Sequence, residues 1–339
     1  MTRRLLIATD AWAPQINGVA RTLGQMCKRL TDAGWQVRVV HPASDGFWNF
    51  PCPVYPQIRL AFATAGRLAR IISSAGADYI HIATEGPLGR AAAAACRRLG
   101  LRFTTSYHTQ FPAYLRHLLF VPEGLTYANL RRFHSGAAAT MVALPSMKRR
   151  LEERGFQNLV YWGRGVDTSR FHPRPKSNRY ERPVILYVGR VSKEKNLEAM
   201  LRLNVAGTKV VVGHGPQLDL LRKHYGSTVQ FLGALDGAAL EAAYADADVF
   251  VFPSKTDTFG LTIIEALASG VPVAAYPVTG PMDILEGHPD AGALDEDLGV
   301  AVRLALERGR PEACVALAAQ FTWERSVEQF VANLVPVRG

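Results

Sequence analysis

This 339-residue chain reads as an α/β protein built from two doubly wound, Rossmann-like domains in tandem. Three features carry that reading. Short β-branched runs alternate with helical stretches, the mark of βαβ units on a parallel sheet. The alternation breaks once, at Phe171-His172-Pro173-Arg174-Pro175-Lys176-Ser177-Asn178-Arg179-Tyr180-Glu181-Arg182-Pro183. Three prolines among polar residues suit a linker, because proline lacks the N–H that sheet and helix interiors use. The length also suits two domains, each with its own core.

The first series opens with a strand over residues 5–9, a loop containing Pro14 and Gly18, and a helix over 19–33. Gly34 stands where a helix C-cap glycine belongs, and a strand follows over 36–41. Residues 58–74 are mixed and turn helical towards their end. A strand over 79–82, an Ala-rich helix over 88–99 stopped by Gly100, and strands over 102–107, 141–144 and 159–162 close the series. The second series predicts strands over 184–188, 208–212, 229–232, 249–251 and 271–275. Its helices fall at about 196–203, 238–245 and 261–268. Residues 322–334 are helical, with Thr322 as N-cap. The expected division is 1–174, 175–321 and a C-terminal helix in 322–339, with a cleft where the carboxyl ends of the strands meet.

Composition narrows the class. Hydrophobic residues make up 48% and charged residues 20%, a globular balance that excludes a disordered chain. Cys27, Cys52, Cys96 and Cys314 lie far apart with no CxxC, which argues against a disulfide framework or structural zinc and fits a reducing compartment. Asp10 interrupts the short apolar run after Arg3 and Arg4, so the start reads as a strand rather than a signal peptide. No window reaches the roughly 18 uninterrupted apolar residues of a membrane span. A soluble or peripheral protein of the cytoplasm, at most resting on the inner face of the cell membrane, is expected. Residues 1–174 hold 23 Lys and Arg against 9 Asp and Glu, a net of +14; the remaining 16 against 20 give −4, which together make the chain's +10. A polyanion facing the first half, or a solvated Arg-rich surface, would each account for this division.

The segment richest in chemistry is Pro253-Ser254-Lys255-Thr256-Asp257-Thr258-Phe259-Gly260-Leu261-Thr262-Ile263-Ile264-Glu265-Ala266-Leu267-Ala268-Ser269-Gly270-Val271-Pro272-Val273. A buried strand ends at Pro253 and a helix begins near Leu261, whose first-turn N–H groups suit an anion or a hydroxyl-rich ligand. Gly260 lets such a ligand approach the backbone. Asp257 precedes the helix and Glu265 lies about two turns along it. The pair would bind sugar hydroxyls at one end and ribose hydroxyls at the other. Equally, Asp257 would cap the helix and Glu265 would be a solvated helix residue.

This acid-x7-Glu pattern, in its Phe-Gly-Leu and Ala-Ser-Gly-Val-Pro-Val setting, resembles the donor-site signature of retaining glycosyltransferases of family 4, which have the GT-B fold. The family usually has Glu at the first position. Asp257 shortens the reach by one methylene and keeps the charge. Val188-Gly189-Arg190-Val191-Ser192-Lys193-Glu194-Lys195-Asn196-Leu197 is similar to the family's basic loop, which implies that Gly189, Arg190 and Lys195 meet the donor diphosphate. Pro14-Gln15-Ile16-Asn17-Gly18-Val19-Ala20-Arg21 resembles its Gly-containing loop, giving Gly18 a place against the donor. Tyr107-His108-Thr109-Gln110-Phe111-Pro112 matches the catalytic-cleft histidine, here His108. Trp162-Gly163-Arg164-Gly165-Val166-Asp167 and Phe321-Thr322-Trp323-Glu324 look like the inter-domain segment and the closing helix, which in the family crosses back to the first domain.

The resemblance implies two doubly wound domains facing a central cleft, with hexosyl transfer from a nucleotide sugar and retention at the anomeric carbon. His108, Asp257, Arg190 and Lys195 would form the catalytic set. Asp257 and the backbone near Thr258, Phe259, Gly260 and Leu261 would hold the hexose, and Glu265 the ribose. No cofactor or metal is implied, since the nucleotide sugar is a substrate. Asp246-Ala247-Asp248 spells the DxD of another glycosyltransferase fold, but reads here as a helix end and a strand start. Gly213-His214-Gly215 is half a dinucleotide fingerprint and reads as a turn. His81-Ile82-Ala83-Thr84-Glu85-Gly86-Pro87-Leu88-Gly89 and Pro51-Cys52-Pro53-Val54-Tyr55-Pro56 look most like bacterial members that glycosylate membrane lipids such as diacylglycerol. In residues 114–120 and 127–133, aromatic and Leu residues interleave with Arg, as in a helix lying on an anionic bilayer; a core helix with a basic outer face fits the same pattern. A soluble member acting on a polysaccharide or small glycoside is the alternative. No nucleic-acid-binding motif accompanies the basic charge, so nucleic acid is not an expected partner.

Overall fold

The structure is a computed structural model that describes residues 2–15, 17–52, 59–108, 122–256 and 259–338. The chain forms two compact units, Met1–Gly163 joined by Glu324–Gly339, and Arg164–Trp323.

The first unit is built on strands β1 (Arg4–Ala8), β2 (Gln36–Val40), β5 (Tyr79–Ile82), β6 (Thr104–Tyr107), β7 (Ala139–Val142) and β8 (Leu159–Tyr161). Their order is β2-β1-β5-β6-β7-β8, and every pairing is parallel. A separate antiparallel hairpin pairs β3 (Asn49–Pro51) with β4 (Arg59–Ala61). Among the described residues, this part of the chain also carries helices α1 (Gly18–Asp32), α2 (Ala65–Ala75), α3 (Pro87–Leu99), α4 (Glu123–His134) and α5 (Pro145–Glu152). The two-residue period of β1 divides the core. Leu5 and Ile7 pack with Leu23, Met26 and Leu30 of α1, whereas Leu6 and Ala8 pack with Leu88, Ala92 and Cys96 of α3. The sheet therefore lies between two helical layers, as its all-parallel pairing requires.

The second unit repeats the plan with β9 (Val184–Val188), β10 (Thr208–Val212), β11 (Val229–Gly233), β12 (Val249–Phe252), β13 (Val273–Ala275) and β14 (Gly292–Leu294). The order is β11-β10-β9-β12-β13-β14, again parallel throughout. All five residues of β9 are buried, which explains its unbroken Val-Ile-Leu-Tyr-Val run. The helices are α6 (Leu197–Leu201), α7 (Leu218–Tyr225), α8 (Gly237–Asp246), α9 (Leu261–Ala268), α10 (Pro281–Leu285), α11 (Leu298–Arg308) and α12 (Pro311–Ala318). The hairpin, β14 and several of these helices have no counterpart in the elements expected from sequence.

Three expectations are corrected. The boundary falls between Gly163 and Arg164 rather than after Arg174, because the intervening segment is bound into the second unit. Val166 N donates to Phe321 O at 2.9 Å, and Arg170 and Arg174 both pair with Glu241. The proline-rich stretch is likewise anchored, and the DxD residues are the anchors. Asp246 accepts from Ser177 N and Oγ, and Asp248 pairs with Lys176 and Arg182 while accepting from Val184 N at 2.7 Å. Finally, the aromatic and Leu residues read as interfacial in 127–133 do not face outward: Tyr127, Leu130 and Phe133 are buried, while Arg131 and Arg132 are exposed together with Leu125, Ala128 and Asn129. It is a core helix with a basic outer face. Residues 114–120, the other stretch read as interfacial, lie outside the described residues.

The closing helix α13 (Trp323–Asn333) belongs from Glu324 onward to the first unit. Phe330 is fully buried with its ring 4.9 Å from Trp162. Trp162 Nε1 donates to Ser326 Oγ at 3.1 Å, and Gly163 N to Gln329 Oε1 at 2.8 Å. Beyond the helix, Val337 N donates to Asp78 O.

Candidate active site

In a parallel sheet the strand whose two neighbours are reached by opposite turns of the chain leaves a crevice at its carboxyl end, where ligands bind. In the second unit that strand is β9, flanked by β10 and β12. Gly189 and Arg190 leave its carboxyl end directly, and Tyr187 Oη fixes the turn by donating to Arg190 O at 2.8 Å. A 3-10 turn, Lys193–Lys195, carries Lys195 and ends on Asn196 in a left-handed conformation. Asn196 Nδ2 donates to Pro253 O at 3.1 Å, which ties the basic loop to the segment that follows β12. Both Arg190 and Lys195 are half-buried. The turn after β10 packs against the start of this loop: a Cβ on Gly213 would stand 1.8 Å from Gly189 O, so only glycine lets the two loops pack.

From Pro253 the chain leads to α9. Gly260 is its N-cap, with φ +87°, and no side chain caps the helix among the described residues. A Cβ here would meet Ile263 Cδ1 at 2.8 Å and carry a backbone conformation that only glycine adopts freely. Phe259 is buried with its ring edge-on to Phe321. The first-turn amides of α9 thus open at the same sheet edge as Arg190 and Lys195, an arrangement suited to an anion or a hydroxyl-rich ligand. Asp257 and Thr258 lie outside the described residues. Glu265 is not a solvated helix residue. It is 5% exposed, and its Oε2 accepts from Tyr244 Oη on α8 at 2.8 Å. Tyr244 is a residue that sequence reasoning missed; its signal was a lone tyrosine in an Ala-rich helix.

Gly18 and His108 are carried by the first unit, at the carboxyl edge of its sheet. Gly18 is exposed as the first residue of α1, whose N-cap Asn17 accepts from Ala20 N at 2.9 Å. His108 follows β6 directly and is 7% exposed, with its ring edge-on to Trp162 at 5.7 Å. The crevice strand of this unit is β1, and Asp10 stands just past its end. Its carboxylate accepts from Leu88 N at 3.0 Å, Gly89 N at 3.3 Å and Thr84 Oγ1 at 2.8 Å. It thereby fills the N-terminus of α3, whose own N-cap Gly86 has no side chain to offer. Burial pushes the Asp10 carboxyl above its ordinary value, against the opposing pull of these hydrogen bonds.

Behind His108 the first unit holds a buried polar network. His134 Nε2 meets Glu85 Oε1 at 3.2 Å, and its Nδ1 meets Thr105 Oγ1 at 2.9 Å. On the other face of β6, His81 Nε2 meets Ser106 Oγ and its Nδ1 meets Thr104 Oγ1, both at 2.9 Å. Sequence reasoning missed these partners too. The polar run Thr104-Thr105-Ser106 in a central strand was the available sign.

Comparison with known proteins gives this geometry a lineage. The Glycosyltransferase Family 4 pattern matches residues 16–170, and the Glycosyl transferases group 1 pattern matches residues 169–294. A GDP-mannose-dependent alpha-mannosyltransferase of Mycolicibacterium smegmatis is 30% identical over 322 residues, covering 87% of this chain and 85% of that protein. The chain belongs to glycosyltransferase family 4. A sulfoquinovosyl transferase of Arabidopsis thaliana is 32% identical over 257 residues, but the match spans 71% of this chain and only half of that protein. An alpha-monoglucosyldiacylglycerol synthase of Streptococcus pneumoniae is 24% identical, over 80% of this chain and 71% of that protein. Among solved structures, the sucrose-phosphate synthase of Thermosynechococcus elongatus superposes with a TM-score of 0.75 at 19% identity, covering 97% of this chain and 98% of that one. The fold is therefore GT-B, and this member of family 4 is a glycosyltransferase.

Proposed function

We propose that this family 4 enzyme transfers a hexosyl group from a nucleotide sugar to a membrane lipid, with retention at the anomeric carbon. The observation that carries the donor half of this reading is the edge of the second sheet. There Arg190, Lys195 and the first turn of α9, which has no side-chain cap among the described residues, open together. The leaving nucleoside diphosphate gains charge as the glycosidic bond breaks, and fixed cations beside it lower the barrier. With no nucleophile assigned to the far face of the sugar, the acceptor hydroxyl attacks from the face the phosphate leaves, and a donor phosphate oxygen takes its proton. The protein's contribution is position and charge. Asp257 and the backbone from Thr258 to Leu261 hold the hexose, Glu265 the ribose, and His108 the developing charge, while Gly18 and Gly189 admit the diphosphate.

The lipid acceptor is supported by the relative named for monoglucosyldiacylglycerol, by the segments around Glu85 and Cys52, and by the basic first half. Of the three relatives above, the one matched over the most residues is named for GDP-mannose, which makes GDP-mannose the first donor to try, ahead of UDP-hexoses and UDP-hexuronic acids. No helix among the described residues is long and apolar enough to cross a membrane, so a peripheral place on the cytoplasmic face is the setting proposed.

The test is transfer of labelled sugar from each nucleotide sugar into detergent-dispersed diacylglycerol and phospholipid, with Lys195→Ala and Glu265→Gln as variants. Glutamine keeps an acceptor for Tyr244 Oη, whereas Glu265→Ala would strand that hydroxyl at a cost of about 1–3 kcal/mol. Both variants are expected to lose transfer by at least about a hundredfold while melting like the parent protein. Near-normal turnover in either removes that residue from the site, and transfer to soluble glycans alone replaces the lipid acceptor.

A further inference from the structure

The β3–β4 hairpin is built with its polarity reversed. An antiparallel pair that buries one face ordinarily turns polar side chains outward on the other. Here the buried face is supplied by Ala61, which is fully enclosed in the core cluster of β1, α2 and α3. The register pairs Asn49 with Ala61 and Phe50 with Leu60, and Phe62 N donates to Trp48 O at 2.8 Å. Trp48, Phe50, Leu60 and Phe62 therefore share the opposite face. Trp48 is 69% exposed and Phe62 64% exposed, with the Trp48 ring 5.6 Å from that of Phe50.

The other side of the hairpin, which Arg59 shares with Asn49 and Ala61, is cationic at its edge. Arg59 donates to the side chain and carbonyl of Asn49. Arg67, at the start of α2, lies 4.6 Å over the Phe47 ring and donates to the carbonyls of Asp45 and Gly46. Neither arginine has an acidic partner among the described residues. The nearby acid, Asp45, is already paired with Arg38 at 2.7 Å.

We infer that this hairpin face is where the enzyme docks on an anionic bilayer, with Trp48 and Phe62 entering the interfacial layer and the positive charge of Arg59 and Arg67 on the hairpin's other side drawing it to anionic headgroups. The inference rests on the lipid-acceptor reading above and gives that reading a surface, in place of the α4 helix, whose Tyr127, Leu130 and Phe133 are spent on the core. The chemistry suits one occupant. Tryptophan with a wet end and an apolar body concentrates at membrane interfaces, and cations within a Debye length of the surface add attraction for anionic headgroups. A second copy of the chain fits poorly, since four apolar side chains fall far short of the roughly 20–30 residues a side of a stable interface.

The test is sedimentation of the full-length protein with phosphatidylglycerol vesicles and with phosphatidylcholine vesicles, beside transfer into detergent-dispersed lipid. The double variant Trp48→Ser/Phe62→Ser alters exposed side chains and is expected to lose at least about tenfold in partition onto phosphatidylglycerol vesicles. Arg59→Glu is expected to lose several-fold on phosphatidylglycerol and nothing on phosphatidylcholine. Transfer into detergent-dispersed lipid should be unchanged in all. Equal sedimentation of parent and double variant overturns the inference, as does a parent protein that shows no preference for the anionic vesicles. A parent dimer that the double variant breaks assigns the face to a second copy instead. Absence of transfer by the parent in detergent defeats the lipid-acceptor reading, and does so independently of where the vesicles bind.

Discussion

Asp10 shows how a single residue can be visible in a sequence and still be misjudged. Read along the chain it merely interrupts an apolar run; in the fold it closes the end of β1 and caps α3 from 78 residues away. Its burial makes a prediction about pH. The folded carboxyl titrates above the unfolded value near 3.8, so between the two values the native state holds more proton than the unfolded state. Stability is then full below the unfolded value and declines as pH rises through the folded one. Asp10→Asn keeps an acceptor for Leu88 N and Gly89 N without the charge. Urea midpoints of the parent and of Asp10→Asn, followed from about pH 4 to pH 7, should converge at the acid end and part as pH rises, with the parent falling. Parallel curves would show that burial of Asp10 has no bearing on stability. Glu265 was legible in a different way: the acid-x7-Glu spacing singled it out, but only the fold brought Tyr244 Oη against it.

At the scale of elements, α4 is the instructive case. Its sequence, Tyr127-Ala128-Asn129-Leu130-Arg131-Arg132-Phe133, alternates apolar and basic residues in a way that suits either a bilayer or a core. Amphipathicity specifies that a helix has an apolar side, never what covers it. In the structure Leu130 is 4% exposed and packed inside, while Arg132 points to solvent. Leu130→Ala should therefore cost about 2–5 kcal/mol by denaturant titration, whereas Arg132→Glu should stay within about 0.5 kcal/mol of the parent. A Leu130→Ala variant as stable as the parent would put the apolar side of α4 outside after all. The hairpin is the converse case. Its three-residue strands are too short for a two-residue period to stand out, so neither its presence nor its outward apolar face was legible.

For the whole molecule, chain order and unit membership part company at the end. The chain leaves the first unit at Gly163, builds the second, and returns with Glu324. Phe330 is buried against Trp162 and His81, so the last helix is part of the first unit's core. Phe330→Ala should cost about 3–5 kcal/mol, and the loss should fall on the first unit. Hydrogen exchange resolved by peptide should show protection lost in residues 4–8 and 79–82 and kept in 184–188. Equal loss in both units would mean that they unfold as one cooperative body.

The sequence by itself determined the class of the fold and its two large parallel sheets, and it singled out the stretch proposed to carry the donor chemistry. These depend on local periodicity, on glycines and prolines at particular offsets, and on a motif contained in one strand-turn-helix. Tertiary structure alone decided where the units divide, which side of α4 and of the hairpin meets water, and which groups hold Asp10 and Glu265. Those outcomes depend on partners brought from tens of residues away. A side chain's pattern records that it must be covered or paired, but the covering surface exists only once the chain has folded.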